Sequence, residues 1–149
     1  MYRKGVSTLI LNKDNEFLLV NLNSFEERFF AIPGGGVEEG ESLESAVYRE
    51  IEEELGIDKN SLELVGKNDT PLQFRFTVPK VKEGKEYVGS ERYFFGFRFV
   101  GVDDEIVLQE SEVRAYKWVS FGDLDKYLLF DGQFEESVRE IGEIFPELC

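Results

Sequence analysis

The chain has 149 residues, enough to bury the core of one domain and too few for two comfortable ones. Hydrophobic residues make up 42% and charged residues 32%, a globular balance that excludes a disordered chain. Thirty-one acids against 17 bases leave a formal charge of −14, which disfavours nonspecific binding to long nucleic acid. There is no histidine, and the only cysteine is Cys149. His-based catalysis, imidazole zinc sites and a disulfide framework are therefore excluded. No apolar run approaches a membrane span, and Met1 to Val6 lacks the apolar core of a signal peptide. These features lead to one domain over residues 1–149, cytoplasmic and without a membrane partner.

Val6 to Leu11 and Glu16 to Leu22 read as two strands joined by the turn cluster Asn12-Lys13-Asp14-Asn15. Arg28 to Ile32 is expected as a third strand, closed by Pro33 and three glycines. From Ser42 the period changes: Leu43, Val47, Ile51 and Leu55 recur every four residues beside Ala46, one face of an α-helix. Gly56 stands where a left-handed residue ends such a helix. Leu62 to Val65 and Leu72 to Val78 read as strands, and the polar stretch Pro79 to Lys85 as a loop. Tyr93, Phe95, Phe97 and Phe99 alternate with Phe94, Gly96 and Arg98, so the stripe reads as a strand facing the core. Asp103 to Glu105 is expected as a solvated turn, and Val113 to Val119 as a last strand carrying a core Trp118. Phe134, Val138, Ile141 and Phe145 keep helical spacing up to Pro146. Hairpins mixed with a crossover helix predict an α+β fold, a mixed β-sheet between helices.

The informative segment runs from Gly35 to Ile57, GGVEEGESLESAVYREIEEELGI. Glu50, Glu53 and Glu54 stand at i, i+3 and i+4, so their carboxylates share a helical face. Like charges that close destabilise a bare helix by a few tenths of a kcal/mol per pair, roughly. A hard divalent cation reverses that sign, and oxygen-only ligands suit Mg²⁺ or Mn²⁺. Magnesium is normally shared with substrate phosphates, which points the cluster towards phosphate chemistry. Arg49 reaches Glu53 at i+4 and orients it. The plainer reading is a solvated acidic face, against which stand the flanking glycines and Arg49.

The segment resembles, position by position, the signature of the Nudix hydrolase family. That signature is Gly, five residues, Glu, seven residues, then Arg-Glu-apolar-any-Glu-Glu-any-Gly-apolar. Gly35, Glu41, Arg49, Glu50, Ile51, Glu53, Glu54, Gly56 and Ile57 fill it without departure. The resemblance implies a magnesium-dependent hydrolase of a nucleoside diphosphate linked to another moiety, with the box as loop–helix–loop in an α/β/α sandwich. By the same resemblance Glu50, Glu53 and Glu54 are metal ligands, with Glu54 or a neighbour polarising the attacking water. Arg49 orients them, and Gly35 contributes to the metal and phosphate loop. By the resemblance Glu41 stabilises the loop or, in some members, ligates a metal; it is otherwise a helix-start acid.

Tyr87-Val88-Gly89, Glu91-Arg92-Tyr93-Phe94 and Glu112-Val113 running into Tyr116-Lys117-Trp118-Val119 resemble two groups of that family. These are bacterial RNA 5′-pyrophosphohydrolases and plant-type dinucleoside tetraphosphate hydrolases. The likeness implies Glu112 as a metal ligand or base, Arg3 as a phosphate contact, and Phe76 and Phe130 as substrate-binding aromatics. Phe130 is otherwise an anchor for the last helix, and Arg3 a surface residue beside Lys4. Ser90 replaces the usual Gln, Asp131 a basic residue, and Pro33-Gly34-Gly35-Gly36 the usual Pro-Gln. The implied activity is pyrophosphohydrolysis of a (di)nucleoside polyphosphate or a triphosphorylated RNA 5′ end. The alternatives are hydrolysis of another nucleoside diphosphate derivative, such as a mutagenic triphosphate or nucleotide sugar, and a non-catalytic nucleotide sensor.

Overall fold

The computed structural model describes residues 1–149. Seven strands form one mixed sheet: β1 (Tyr2–Leu11), β2 (Glu16–Leu22), β3 (Gly34–Gly36), β4 (Leu62–Lys67), β5 (Leu72–Lys82), β6 (Lys85–Phe99) and β7 (Val113–Ser120). The main path is β4-β6-β1-β2-β7, with β3 against β1 and β5 against β6. Only β1 and β6 run parallel among these pairs, in a register that sets Gly5 against Arg92 and Ile10 against Phe97. Two helices, α1 (Leu43–Leu55) and α2 (Gln133–Ile144), cover opposite faces.

The alternation in the strands explains how one sheet serves two cores. Val6 and Ile10 of β1, Leu18 and Val20 of β2, and Phe95, Phe97 and Phe99 of β6 pack with Val47, Ile51 and Leu55 of α1. Leu9, Leu11, Phe17, Leu19 and Phe94 point the other way, to Ile141, Ile144 and Phe145. Central strands covered on both sides read as continuous apolar runs for this reason. The predicted aromatic stripe is therefore core on both faces. Trp118 is only half-buried: it stacks on Phe99 with centroids 5.8 Å apart and donates its indole N–H to Asp103 at 3.2 Å.

The helix α1 follows its sequence signals. The Ser42 side chain accepts from the Ser45 amide at 3.1 Å, a true N-cap. At the other end Gly56 adopts φ 68°, and its N–H closes on the Glu52 carbonyl.

Two expectations fail. Residues 28–32 form no strand; Ala31 alone makes a bridge, to Val20. Here β1 and β2 splay after the Leu11–Phe17 pair, and residues 31–36 wedge between them. The aromatics that suggested a strand pack sideways instead, Phe30 on Tyr127 and Phe29 on Phe130. Nor is Pro79–Lys85 a loop. Strands β5 and β6 run on as a hairpin whose tip is Glu83 (φ 52°) and Gly84 (φ 77°), two left-handed residues of a tight turn. Pro79 falls in the irregularity between Arg75 and Lys80, where a missing N–H does no harm.

Candidate functional site

Strand β3 is the hinge of the site. Its three glycines lie between the start of β1 and the acidic face of α1. A Cβ at Gly35 would overlap the Glu50 carboxylate, and one at Gly36 would stand 2.8 Å from the Arg3 guanidinium. The residue type at 35 is thus set by the approach of a carboxylate to bare backbone.

Arg49 organises the acids. Its Nε and Nη2 form a two-pronged pair with Glu41, at 2.7 and 2.9 Å, and Nη2 also donates to the Gly36 carbonyl at 2.9 Å. Nη1 donates to Glu50 at 2.9 Å and to Glu53 at 3.3 Å. The guanidinium therefore ties the glycine strand, the loop before α1 and two carboxylates of the helix into one rigid unit. The Arg49 pair holds the Glu41 carboxyl down at about 2, and Arg49 itself is shifted up. Glu41 also accepts from the Glu38 amide at 3.0 Å, so its contacts tie the loop before α1 to Arg49.

Glu54 is different in kind. It is 5% exposed, and its Oε1 is buried with no hydrogen-bond partner. Burial pushes its pKa up to about 8, aided by the negative charges of Glu50 and Glu112, with the Gly34 amide partly offsetting them. Glu112 reaches this place through backbone bonds that the sequence does not advertise. The segment after α1 borrows the helix's free terminal carbonyls: Val107 N–H donates to Leu55 at 2.8 Å and Gln109 N–H to Glu54 at 3.1 Å. Glu112 N–H then closes on Gln109 at 2.9 Å. Glu112 and Glu53 are solvent-exposed. No group of three carboxylates is drawn tightly enough to hold an ion without side-chain rotation.

Two clefts flank β3. One, of about 550 Å³, is bordered by Arg3, Lys4, Lys82, Lys85, Glu50 and Gly36. Arg3 is thus half-buried beside the glycine strand, not a free surface residue. The other, of about 360 Å³ on the α2 side, is bordered by Gly34, Gly35, Arg92, Phe130 and Gln133. Phe130 is 36% exposed, held by Phe25 and Phe29 at centroid distances of 4.7 and 4.8 Å. It belongs to a cleft wall and does not anchor α2 in the core. Phe76 borders neither cleft; it sits on the outer hairpin with Lys80 Nζ 4.5 Å over its ring. The sequence reading assigned no role to Arg92, Gln133, Lys82 or Lys85. The parallel β1–β6 register brings in Arg92, the hairpin Lys82 and Lys85, and the docking of α2 Gln133, and none of these leaves a local signal.

A glycine strand feeding an acidic helix, beside a mixed sheet covered on both faces, defines an α+β protein with a carboxylate cluster at its glycine strand. The NUDIX domain model matches residues 1–140. An RNA pyrophosphohydrolase of Pelagibacter ubique is 33% identical, covering 93% of this chain and 92% of that protein. One from Rhodospirillum rubrum is 32% identical over 99% of this chain and 87% of its own length. Among solved structures, a C. elegans Ap4A hydrolase complex superimposes with a TM-score of 0.69 at 21% identity, covering 96% of this chain and 98% of the other. The E. coli dihydroneopterin triphosphate pyrophosphohydrolase gives 0.72 at 21%, covering 98% and 99%. The chain belongs to the Nudix family. It is a hydrolase acting on pyrophosphate bonds.

Proposed function

We propose that the chain is a Mg²⁺-dependent pyrophosphohydrolase, with Mn²⁺ as a substitute, that cleaves a phosphoanhydride bond of a nucleoside or dinucleoside polyphosphate or of a 5′-triphosphorylated RNA end. One observation carries this reading. Glu54 is buried against Glu50 with an unpartnered oxygen, an arrangement that is unfavourable for the bare fold and favourable once a cation is shared. The donor set fits a hard divalent ion, being all oxygen: Glu50, Glu53, Glu54 and Glu112 with the Gly35 backbone. Such an ion, when bound, supplies charge neutralisation and an acidified water.

The chain's own residues do the rest. Arg49 fixes Glu50 and Glu53 so that neither must be reorganised when substrate arrives. Glu54, unprotonated and buried beside Glu50, is positioned to take the proton of the attacking water. Glu112 is the second candidate for that proton. Arg3, with Lys4, Lys82 and Lys85 along the same cleft, receives the phosphates not under attack. Phe130 offers a partly exposed ring for a base to stack on.

The test is phosphate release from a panel of nucleoside triphosphates, dinucleoside tetraphosphates and a triphosphorylated oligonucleotide, with Mg²⁺ and with chelator. Metal-dependent release is expected. Cleavage of the small substrates should equal or exceed that of the oligonucleotide, because Asp131 follows Phe130 where further phosphates would need cations. No release from any member would refute the enzyme reading, and a clear preference for the oligonucleotide at physiological salt would refute the inference about length.

A further inference from the structure

Resting on the proposed function, we propose that the cleft on the α2 side reads guanine and that Arg92 is its specificity-determining residue. Arg92 lies on β6 opposite Gly5 and on the same strand face as Phe94. Its Nη1 is pinned by the Ser7 hydroxyl at 2.9 Å and the Val6 carbonyl at 3.3 Å. Its Nε and Nη2 donate to no protein atom and face solvent, Arg92 being exposed, and the charge of Glu136 reaches it without a direct ion pair. An arginine fixed by one nitrogen, with its other donors unused in a cleft, presents an oriented fork to a ligand.

Across the same cleft stand acceptors. Gln133, the first residue of α2, has a buried Oε1 without a partner, and Glu136, one turn on, borders the cleft close enough for its charge to act on Arg92. Phe130 supplies the wall on which a ring would stack. The space, about 360 Å³, lies in the range of small-ligand sites.

Guanine is the base whose edges match this arrangement. Its O6 and N7 are adjacent acceptors that a guanidinium grips with two donors, while N1–H and the N2 amino group on the far edge are donors. Gln133 Oε1 and the Glu136 carboxylate are acceptors suited to those donors. Adenine presents its N6 amino group beside N7, setting a donor against the donors of Arg92. An adenine would leave Gln133 Oε1 unpaired as well, and buried unpaired groups are what give polar sites their discrimination.

The experiment is equilibrium binding of GMP, AMP and 7-deaza-GMP to the unmodified protein in chelator. Monophosphates have no anhydride bond, so turnover cannot intrude. GMP is expected to bind about tenfold or more tightly than AMP, the discrimination of one good two-pronged contact. 7-Deaza-GMP, lacking the N7 acceptor, should lose most of that advantage. Arg92→Gln should bring GMP and AMP within about threefold by weakening GMP alone. Equal affinity of GMP and AMP for the unmodified protein, or a variant that weakens both alike, overturns the proposal. If the variant does not fold, the 7-deaza comparison on the unmodified protein decides. Guanine preference without hydrolysis of any polyphosphate would keep this pocket and sink the enzyme reading; hydrolysis without base preference would do the reverse.

Discussion

Replacing Glu54 by glutamine separates what this residue does for folding from what it does for chemistry. A carboxyl whose pKa rises from 4.5 to about 8 on folding makes the folded protein bind more protons than the unfolded chain between those values. Stability is then intact below pH 4.5 and falls as pH rises towards 8, by about 1.4 kcal/mol per pH unit at most. By pH 7 the metal-free protein would have lost roughly 3 kcal/mol as an upper bound. Glutamine cannot ionise, and its amide can donate to Glu50. Against this gain stands the exchange of one buried polar atom for another, about 1 kcal/mol. Glu54→Gln should therefore stabilise the metal-free protein by about 2 kcal/mol at pH 7, a rise of roughly 4–8 °C in Tm, and destabilise it by about 1 kcal/mol at pH 4.5, where only the cost of the exchange remains. In saturating Mg²⁺ the order should invert, because only the parent gains full binding energy, and kcat of the variant should fall by about 10²-fold or more. Thermal melts at several pH values in chelator, repeated with Mg²⁺, read all of this. A Tm difference independent of pH would refute the account of Glu54, and activity within about threefold of the parent would refute its catalytic role.

Gly56→Val should destabilise the fold by more than ~1 kcal/mol, since φ is 68° and the new Cβ would meet the Val107 carbonyl oxygen at 2.9 Å; an unchanged Tm would show that this corner is not strained. Phe130→Ala should weaken nucleotide binding by about 1–3 kcal/mol through lost stacking while lowering stability less than the 3–5 kcal/mol or so of a buried Phe. A large loss of Tm with unchanged affinity would return Phe130 to the role of anchor.

How much of this was readable in advance depended on whether the cause was local. Helix α1 was legible to the residue because its cap, its four-residue period and its closing glycine are encoded within fifteen positions. The acid cluster and Arg49 were legible for the same reason, lying one or two turns apart. The stretch 28–32 misled because aromatic content was taken as strand propensity, whereas Phe29 and Phe30 serve contacts with Phe130 and Tyr127, about a hundred residues away. The hairpin tip misled because an edge strand facing water is polar, and polarity there looks like a loop. Glu112 could be placed near the acids only by resemblance, since backbone bonds to the end of α1 bring it there. Arg92 stood in a segment that carried the resemblance but without a role, for its place depends on a parallel register joining residues some 87 apart.

Charge poses the remaining question, since a chain at −14 must admit a polyanion. The fold answers by segregation. Arg49 is saturated by Glu41, Glu50, Glu53 and the Gly36 carbonyl, so it offers a phosphate nothing. The free cations lie to either side of β3, with Arg3, Lys4 and Lys82 on one flank and Arg92 on the other. Gly36 borders the first cleft and Gly34 the second, while Gly35 meets Glu50 directly. On the proposed reading, a nucleotide crosses this glycine ridge with its phosphates towards Arg3 and its base towards Phe130. The bond to be broken then lies over the acids. Side chains there would push the ridge off β1 and the acids, because a Cβ at Gly34 would strike the Val6 carbonyl and one at Gly35 the Glu50 carboxylate. The glycines thus matter for how closely they let β1 and the Glu50 carboxylate approach the ridge. On the proposed reading the acids stay mutually repelling until a cation and a polyphosphate arrive together, so the excess negative charge would select metal-bound substrate over the free anion.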